Sequence, residues 1–157
     1  RIYNAKLLEG MKFKENYIYE DMMFTSKLLC KISKIGFYNK PFYNYYIENT
    51  NSIMHGSYNI RNLKSIDAIQ IFQENITSCF NDEKIIQASK NYILFFAVHH
   101  YQKLYKHKSF DKNLVYRKKL KKLIKINYTS ENNNGNYTKI ARYCPMWIYN
   151  IFSKLMN

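Results

Sequence analysis

Glycine and proline are scarce in this sequence, with 4 and 2 residues among 157. Collagen-like, proline-rich and turn-dense all-β chains need such residues at short intervals, so these classes are excluded. Long apolar runs are also missing, because the longest, residues 92–98, is far below the roughly 20 residues that cross a bilayer. No charged and then apolar leader opens the chain, and it starts at Arg1 without Met. We therefore expect a piece of a longer protein with no signal peptide and no spanning helix.

Cysteines are few, and their spacing matches no common metal site. Cys30, Cys79 and Cys144 lie about fifty or more residues apart, with no Cys-x-x-Cys or Cys/His pattern. Acidic residues are few as well, since 11 Asp and Glu stand against 25 Lys and Arg, for a net charge of +14. We expect reduced thiols, a cytoplasmic protein, and an anionic partner such as nucleic acid, a phosphate-bearing ligand or an acidic membrane. AT-rich coding is an equally good explanation for the lysine excess.

The residues that are abundant predict a mainly α fold with a small β element. The chain is 46% hydrophobic and 17% aromatic, enough to bury a core. Apolar residues at helical spacing predict helices at 1–8, 20–34, 61–76, 83–106, 111–126 and 137–156, the last with a start or kink at Pro145. Runs of β-branched and aromatic residues predict two short strands, at 35–39 and 42–47.

Two acidic pairs each open a predicted helix. At Asp82-Glu83 we expect only stabilisation of the helix N-terminus. Glu20-Asp21 has the same explanation available, but an aromatic-rich loop with Phe13, Tyr17 and Tyr19 precedes it.

The order of motifs around Glu20-Asp21 resembles family 2 glycosyltransferases of the bacterial capsule, O-antigen and teichoic-acid type. The matching features are the aromatic loop, Glu-Asp with Phe24 three residues on, the Tyr45-Tyr46 strand, and the turn Asn51-Ser52-Ile53. The resemblance covers residues 1 to about 54. It implies the C-terminal end of a GT-A α/β domain at residues 1–58, followed by a helical bundle at 59–157.

The resemblance also implies site residues and chemistry. The enzyme would transfer a sugar with inversion from a nucleotide-sugar donor to a cell-surface polysaccharide or lipid-linked acceptor. Asp21 matches the base that deprotonates the acceptor hydroxyl, and Glu20 matches its orienting companion. Ser52 matches a contact to the donor phosphates, and Tyr46 and His55 are assigned to the substrate site.

Two departures from the family stand out. Ile47-Glu48 follows the tyrosine pair where relatives often have a basic residue, and no Asp-x-Asp occurs in the chain. We therefore expect the donor site and its divalent metal, Mg or Mn, to lie on a part of the enzyme that is missing here. The chain alone is expected to transfer no sugar and to hold no metal.

Most of the positive charge lies in one tract. Between residues 103 and 125 nine lysines and Arg117 stand against Asp111, a net +9. Five of these lysines are predicted to form the basic face of an amphipathic helix on an anionic membrane surface: Lys118, Lys119, Lys121, Lys122 and Lys125. The location would then be cytoplasmic, at the inner face of the membrane. A solvated bundle or a homo-oligomer interface explains the same face.

The sequence is compatible with two other functions. A basic helical module could bind nucleic acid, although the aromatic residues follow core periodicity instead of alternating with lysines. No helix-turn-helix or RNA-binding signature occurs, so nucleic acid is the less favoured partner. The other possibility is a structural oligomerisation domain.

Overall fold

The structure, a computed structural model, describes residues 2–41, 43–44, 58–129 and 135–155, with side chains up to residue 152. Seven α-helices lie in these ranges: α1 (Ala5–Leu8), α2 (Glu20–Leu29), α3 (Lys64–Cys79), α4 (Glu83–Lys106), α5 (Val115–Asn127), α6 (Asn136–Tyr143) and α7 (Met146–Leu155). Two 3-10 turns, Ile60–Leu63 and Lys108–Asp111, precede α3 and α5. The prediction of a mainly helical chain is confirmed.

The prediction of a small β element is wrong, and so is the assignment of this region to the end of a GT-A α/β domain. No strand occurs among the described residues, which include all of the predicted strand 35–39. Ile35 and Phe37 are instead 75% and 89% exposed. Strand propensity alone does not make a sheet, because the backbone N–H and C=O groups need a partner strand. Of the second predicted strand, only residues 43 and 44 are described, and the rest lies outside the described residues.

α4 is the central helix, and its ends follow directly from local sequence. The Asp82 carboxylate accepts hydrogen bonds from the backbone N–H groups of Lys84 and Ile85, at 2.8 and 3.2 Å. This cap satisfies two donors that have no partner within the helix. The predicted range of 83–106 is therefore confirmed.

α5 begins four residues later than predicted because Asp111 acts as a remote cap. Its carboxylate accepts hydrogen bonds from the backbone N–H groups of Tyr116 and Arg117, at 3.0 and 2.9 Å. Residues up to Asp111 form the 3-10 turn, and Leu114 then takes a left-handed conformation with φ 60° before α5 begins. At the other end, Pro145 separates α6 from α7, which confirms the predicted kink.

Two clusters of buried residues form the core. The larger cluster joins the start of α3 to α4, α5, α6 and α7, with Tyr101, Leu104, Leu120, Ile124 and Tyr149 completely or almost completely buried. The smaller cluster joins α2 to α3 and α4 through five residues: Met22, Met23, Ala68, Ile69 and Ile93. We call these the bundle side and the cleft side. The predicted domain boundary between residues 58 and 59 stays a prediction.

A disulfide links α2 to α3. Cys30 follows the end of α2 and Cys79 ends α3, with their Cα atoms 5.5 Å apart, whereas Cys144 is free. The expectation of reduced thiols is therefore wrong for two of the three cysteines. Their separation of 49 residues carries no pairing signal, because only the packing of α2 on α3 brings them together.

Candidate functional site

The first turn of α2 places Asp21 at the surface. Tyr19 precedes the helix in a left-handed conformation with φ 66°, and Glu20 and Asp21 occupy the first turn. Asp21 is exposed, and its Oδ1 accepts a hydrogen bond from the backbone N–H of Met22 at 2.9 Å. The positive end of the helix dipole favours a carboxylate at this position. The buried Met22 and Met23 that follow anchor the turn to the cleft side.

Asp21 lies in the wall of an open cleft of about 400 Å³. Most of the other walls are apolar or aromatic, and α2, α3 and α4 all contribute. The lining residues are Tyr19, Asp21, Met22, Thr25, Phe72, Tyr92 and Phe96. A cleft with apolar walls and few polar groups is the usual form of a small-ligand site.

The aromatic rings of the cleft pack against one another. Phe96 contacts Tyr19 edge-on at a centroid distance of 5.6 Å and Tyr92 at 4.8 Å. Phe72 lies 5.2 Å from Tyr92. Such contacts stabilise each ring in its position. Tyr92 is nevertheless 43% exposed, so a ring face remains open to a ligand.

The Tyr19 hydroxyl is held in its neutral form. Burial raises the pKa of Tyr19, and the negative charge of Asp21 raises it further. A neutral phenol beside a carboxylate can donate a hydrogen bond to a ligand oxygen. The described lining of the cleft therefore combines one carboxylate, the hydroxyl groups of Tyr19, Thr25 and Tyr92, and several apolar ring faces.

Of the remaining residues predicted for the catalytic site, the structure describes only Glu20. Glu20 is half-buried and is not among the residues that line the cleft. Tyr46, Ser52 and His55 lie outside the described residues. Asp21 is thus the one predicted site residue that the structure places in the cleft wall.

The cleft does not fit a divalent cation. In the described ranges, no group of three His, Cys, Asp or Glu side chains could hold a metal ion. Mg and Mn prefer several oxygen ligands, and Asp21 supplies the only carboxylate among the described lining residues. The metal expected from the family resemblance stays a prediction.

The five lysines predicted to form one basic face divide into three groups. Lys118, Lys122 and Lys125 are exposed. Lys119 forms an ion pair with Asp67 of α3. Lys121 is only 9% exposed, which corrects its assignment to the membrane-facing surface.

Lys121 is bound to the backbone where α6 ends. Its ammonium group donates hydrogen bonds to the carbonyl oxygens of Ala141, Arg142 and Cys144, the last two at 3.2 and 2.7 Å. Burial and the neighbouring charge of Lys125 lower the pKa of Lys121 to about 8. These bonds satisfy carbonyl groups that have no partner at the end of a helix, so the role of Lys121 is structural.

The side chain of His100 is a second buried polar group, and it lies away from the cleft. The Ser65 hydroxyl donates to the carbonyl of Asn62 and lies 3.0 Å from His100 Nε2, and the Tyr58 hydroxyl lies 3.2 Å from His100 Nδ1. Burial lowers the pKa of His100 to about 4, so its ring is neutral at neutral pH. The ring is 2% exposed and joins the chain before α3 to α4.

Sequence reasoning missed the aromatic walls of the cleft. Phe72 and Phe96 have core spacing on their own helices, so periodicity assigns them to the interior. One signal was available, because the apolar run at 92–98 is too continuous for a single buried stripe and has to expose some rings.

Comparison of the chain with models of protein families, with curated proteins and with solved structures finds no match. Among the described residues, no helix is long and apolar enough to cross a membrane.

Proposed function

We propose that the chain is the acceptor-binding part of an inverting glycosyltransferase. The observation that supports this best is the exposed Asp21 carboxylate in the wall of an aromatic cleft. Sugars have apolar C–H faces that pack on aromatic rings and hydroxyl groups that need hydrogen-bonding partners. Tyr92 and Phe72 offer the ring faces, and Tyr19 and Asp21 offer polar contacts.

Asp21 is proposed to act as the base. An acceptor hydroxyl becomes a good nucleophile when a carboxylate within hydrogen-bonding reach removes its proton as the new bond forms. The O–H bond of the acceptor breaks and its oxygen bonds to the anomeric carbon of the donor. The nucleoside diphosphate leaves with the electrons of the bond that joined it to this carbon. The buried methionines behind Asp21 hold it in place for this step.

The donor is proposed to bind elsewhere in the complete enzyme. No Asp-x-Asp motif occurs in the sequence, and the described cleft wall does not fit a divalent cation. We therefore expect the 157-residue chain alone to transfer no sugar. Turnover of a nucleotide sugar by the chain alone would contradict this assignment of the donor site.

Acceptor binding can be tested without the donor. Saturation-transfer NMR with methyl glycosides of glucose, galactose and N-acetylglucosamine should give contacts with at least one of them. Tyr92→Ala should remove these contacts, whereas Phe95→Ala, which alters a ring 70% exposed outside the cleft lining, should not. Equal contacts in both variants, or none with wild type, would contradict a sugar site in the cleft.

We also propose a cytoplasmic location at the inner face of the membrane. The exposed lysines Lys118, Lys122 and Lys125 support it, since such side chains are attracted to anionic headgroups. The disulfide between Cys30 and Cys79 argues against a cytoplasmic location, because the cytosol keeps thiols reduced. A cytoplasmic location therefore requires that the disulfide is reduced in the cell and forms only on oxidation, and alkylation with mass spectrometry of the chain from freshly lysed cells tests this point.

A further inference from the structure

α7 exposes apolar side chains on a side that faces away from the core. Tyr149 is fully buried between the rings of Tyr101 and Tyr105, at centroid distances of 4.7 and 4.8 Å, and so fixes the inward side. Trp147 and Ile151 lie one turn apart on another side and are 67% and 53% exposed. The outward side of a surface helix is ordinarily polar. α7 thus has an apolar side beyond the one that packs on the core.

This exposed surface extends across the joint between α6 and α7. It consists of four residues, which we call the α7 face: Tyr143, Trp147, Ile151 and Phe152. Tyr143 is 67% exposed and contacts Tyr128 edge-on at 5.6 Å. A single exposed ring needs no explanation, but four large apolar side chains exposed within residues 143–152 indicate a surface for a partner.

The exposed lysines of α5 border the same joint. Lys121 bonds to the carbonyl of Cys144, which places this edge of α5 against the residues just before α7. With 3.6 residues per turn, Lys118, Lys125 and Lys122 lie about 60°, 40° and 100° around the helix from Lys121. Lys119 lies about 160° away, on the edge that contacts α3 through Asp67. Positive charge therefore lies near the joint between α6 and α7, where the α7 face begins.

We propose that the α7 face inserts into the interface of an anionic lipid bilayer, with Lys118, Lys122 and Lys125 at the level of the lipid phosphates. This rests on the proposed membrane location and adds the apolar contact to it. A second copy of the chain is the weaker candidate, because two chains of net charge +14 repel each other. Anionic lipid has the complementary charge, and Trp and Tyr suit the boundary between headgroups and acyl chains.

Trp147 reports on its own insertion because it is the only tryptophan in the sequence. The test is a titration with vesicles of phosphatidylglycerol and phosphatidylcholine, and with vesicles of phosphatidylcholine alone. We expect the anionic vesicles to shift Trp147 emission to shorter wavelength and to protect it from acrylamide. Ile151→Gln keeps the reporter and should lower vesicle affinity about tenfold, since one buried aliphatic side chain is lost.

Matched variants separate insertion from general attraction. The triple variant Lys118→Gln, Lys122→Gln, Lys125→Gln should bind anionic vesicles more weakly. The control variant replaces three exposed lysines elsewhere by Gln and so removes the same charge, but it should weaken vesicle binding less. These lysines are Lys12, Lys27 and Lys84. Phe95→Ala removes an exposed ring on α4 and should leave binding unchanged.

Three results would overturn the inference. Vesicle binding with unchanged Trp147 emission and no effect of Ile151→Gln would leave only the lysine contact. A shift that grows with protein concentration and needs no vesicles would identify a second copy as the occupant. Absence of binding to both kinds of vesicle would remove the membrane location as well, whereas sugar binding at the cleft is measured independently by NMR.

Discussion

The cleft side keeps a carboxylate and several rings open to solvent, whereas the bundle side contains a carboxylate that is buried and paired with an arginine. On the bundle side, the Asp111 carboxylate accepts a hydrogen bond from Arg117 Nε at 3.0 Å, and both side chains are more than nine-tenths buried. On the cleft side, Asp21 is exposed and accepts a local hydrogen bond from the N–H of Met22. The same class of residue thus stabilises the fold in one region and remains available to a ligand in the other.

The largest expected effect comes from breaking the buried pair. Asp111→Ala removes the carboxylate that balances the charge of the Arg117 guanidinium and leaves two backbone N–H groups of α5 without their acceptor. We expect the free energy of unfolding to fall by about 3–5 kcal/mol, measured by urea denaturation. Lys119→Ala breaks the half-exposed pair with Asp67 and should cost at most about 1 kcal/mol. Equal losses would contradict the distinction between buried and open charges.

The disulfide provides the next largest effect, and it should act on the cleft side. Replacing Cys30 and Cys79 by Ser should lower the free energy of unfolding by about 2–4 kcal/mol, because the closed loop constrains the unfolded chain. Hydrogen exchange should increase in α2 and α3 more than in α5. Cys144→Ser is the control and should change little. Uniform faster exchange would show that the two sides do not open separately.

The pH dependence of stability tests the bundle side. In the folded chain the pKa of His100 is about 4, against 6.5 when unfolded, so between these values only the unfolded chain binds the proton. Stability is therefore complete above pH 6.5 and is lost as pH falls towards 4, by at most about 1.4 kcal/mol per pH unit.

His100→Gln keeps hydrogen-bonding groups beside Tyr58 and Ser65 but does not titrate in this range. Urea denaturation from pH 7 to 4 should show a flatter profile for this variant. Burial and the charge of Lys103 also lower the pKa of His99, but by less than that of His100, so His99→Gln should flatten the profile less. A profile that His100→Gln leaves unchanged would assign the acid sensitivity to other groups.

The smallest effects on stability are expected in the cleft. Asp21→Asn and Tyr92→Ala alter exposed groups and should each change the free energy of unfolding by less than about 1 kcal/mol. Leu104→Ala, in the bundle core, should cost about 2–5 kcal/mol. Thermal denaturation compares the three, and a large loss for Asp21→Asn would mark it as a structural residue.

Local sequence predicts several elements well. The start of α2 at Glu20, the whole of α4 after the Asp82 cap and the break at Pro145 all match the structure. Each depends on interactions within a few residues, which a single sequence is enough to predict. The prediction of strands at 35–39 is wrong because their formation depends on a partner strand elsewhere, which propensity does not supply.

The sequence predicts only part of the candidate site. Asp21 stands out as an acid at a helix start after an aromatic loop, but the rings of Phe72 and Phe96 reach it only through the packing of α2 on α3 and α4. Lys121 shows the same limit. It shares the spacing of the exposed lysines, and only the position of α6 makes it a buried donor.

The helical class, the net charge of +14, the ends of α4 and the acidic start of α2 can all be read from one chain, because each follows from composition or from neighbouring residues. The packing of the helices sets which rings form the cleft, which lysines remain at the surface and which cysteines pair. These features differ from the first group because burial and pairing depend on groups tens of residues apart. Helical periodicity gives the face of each helix but not the neighbour against which that face packs.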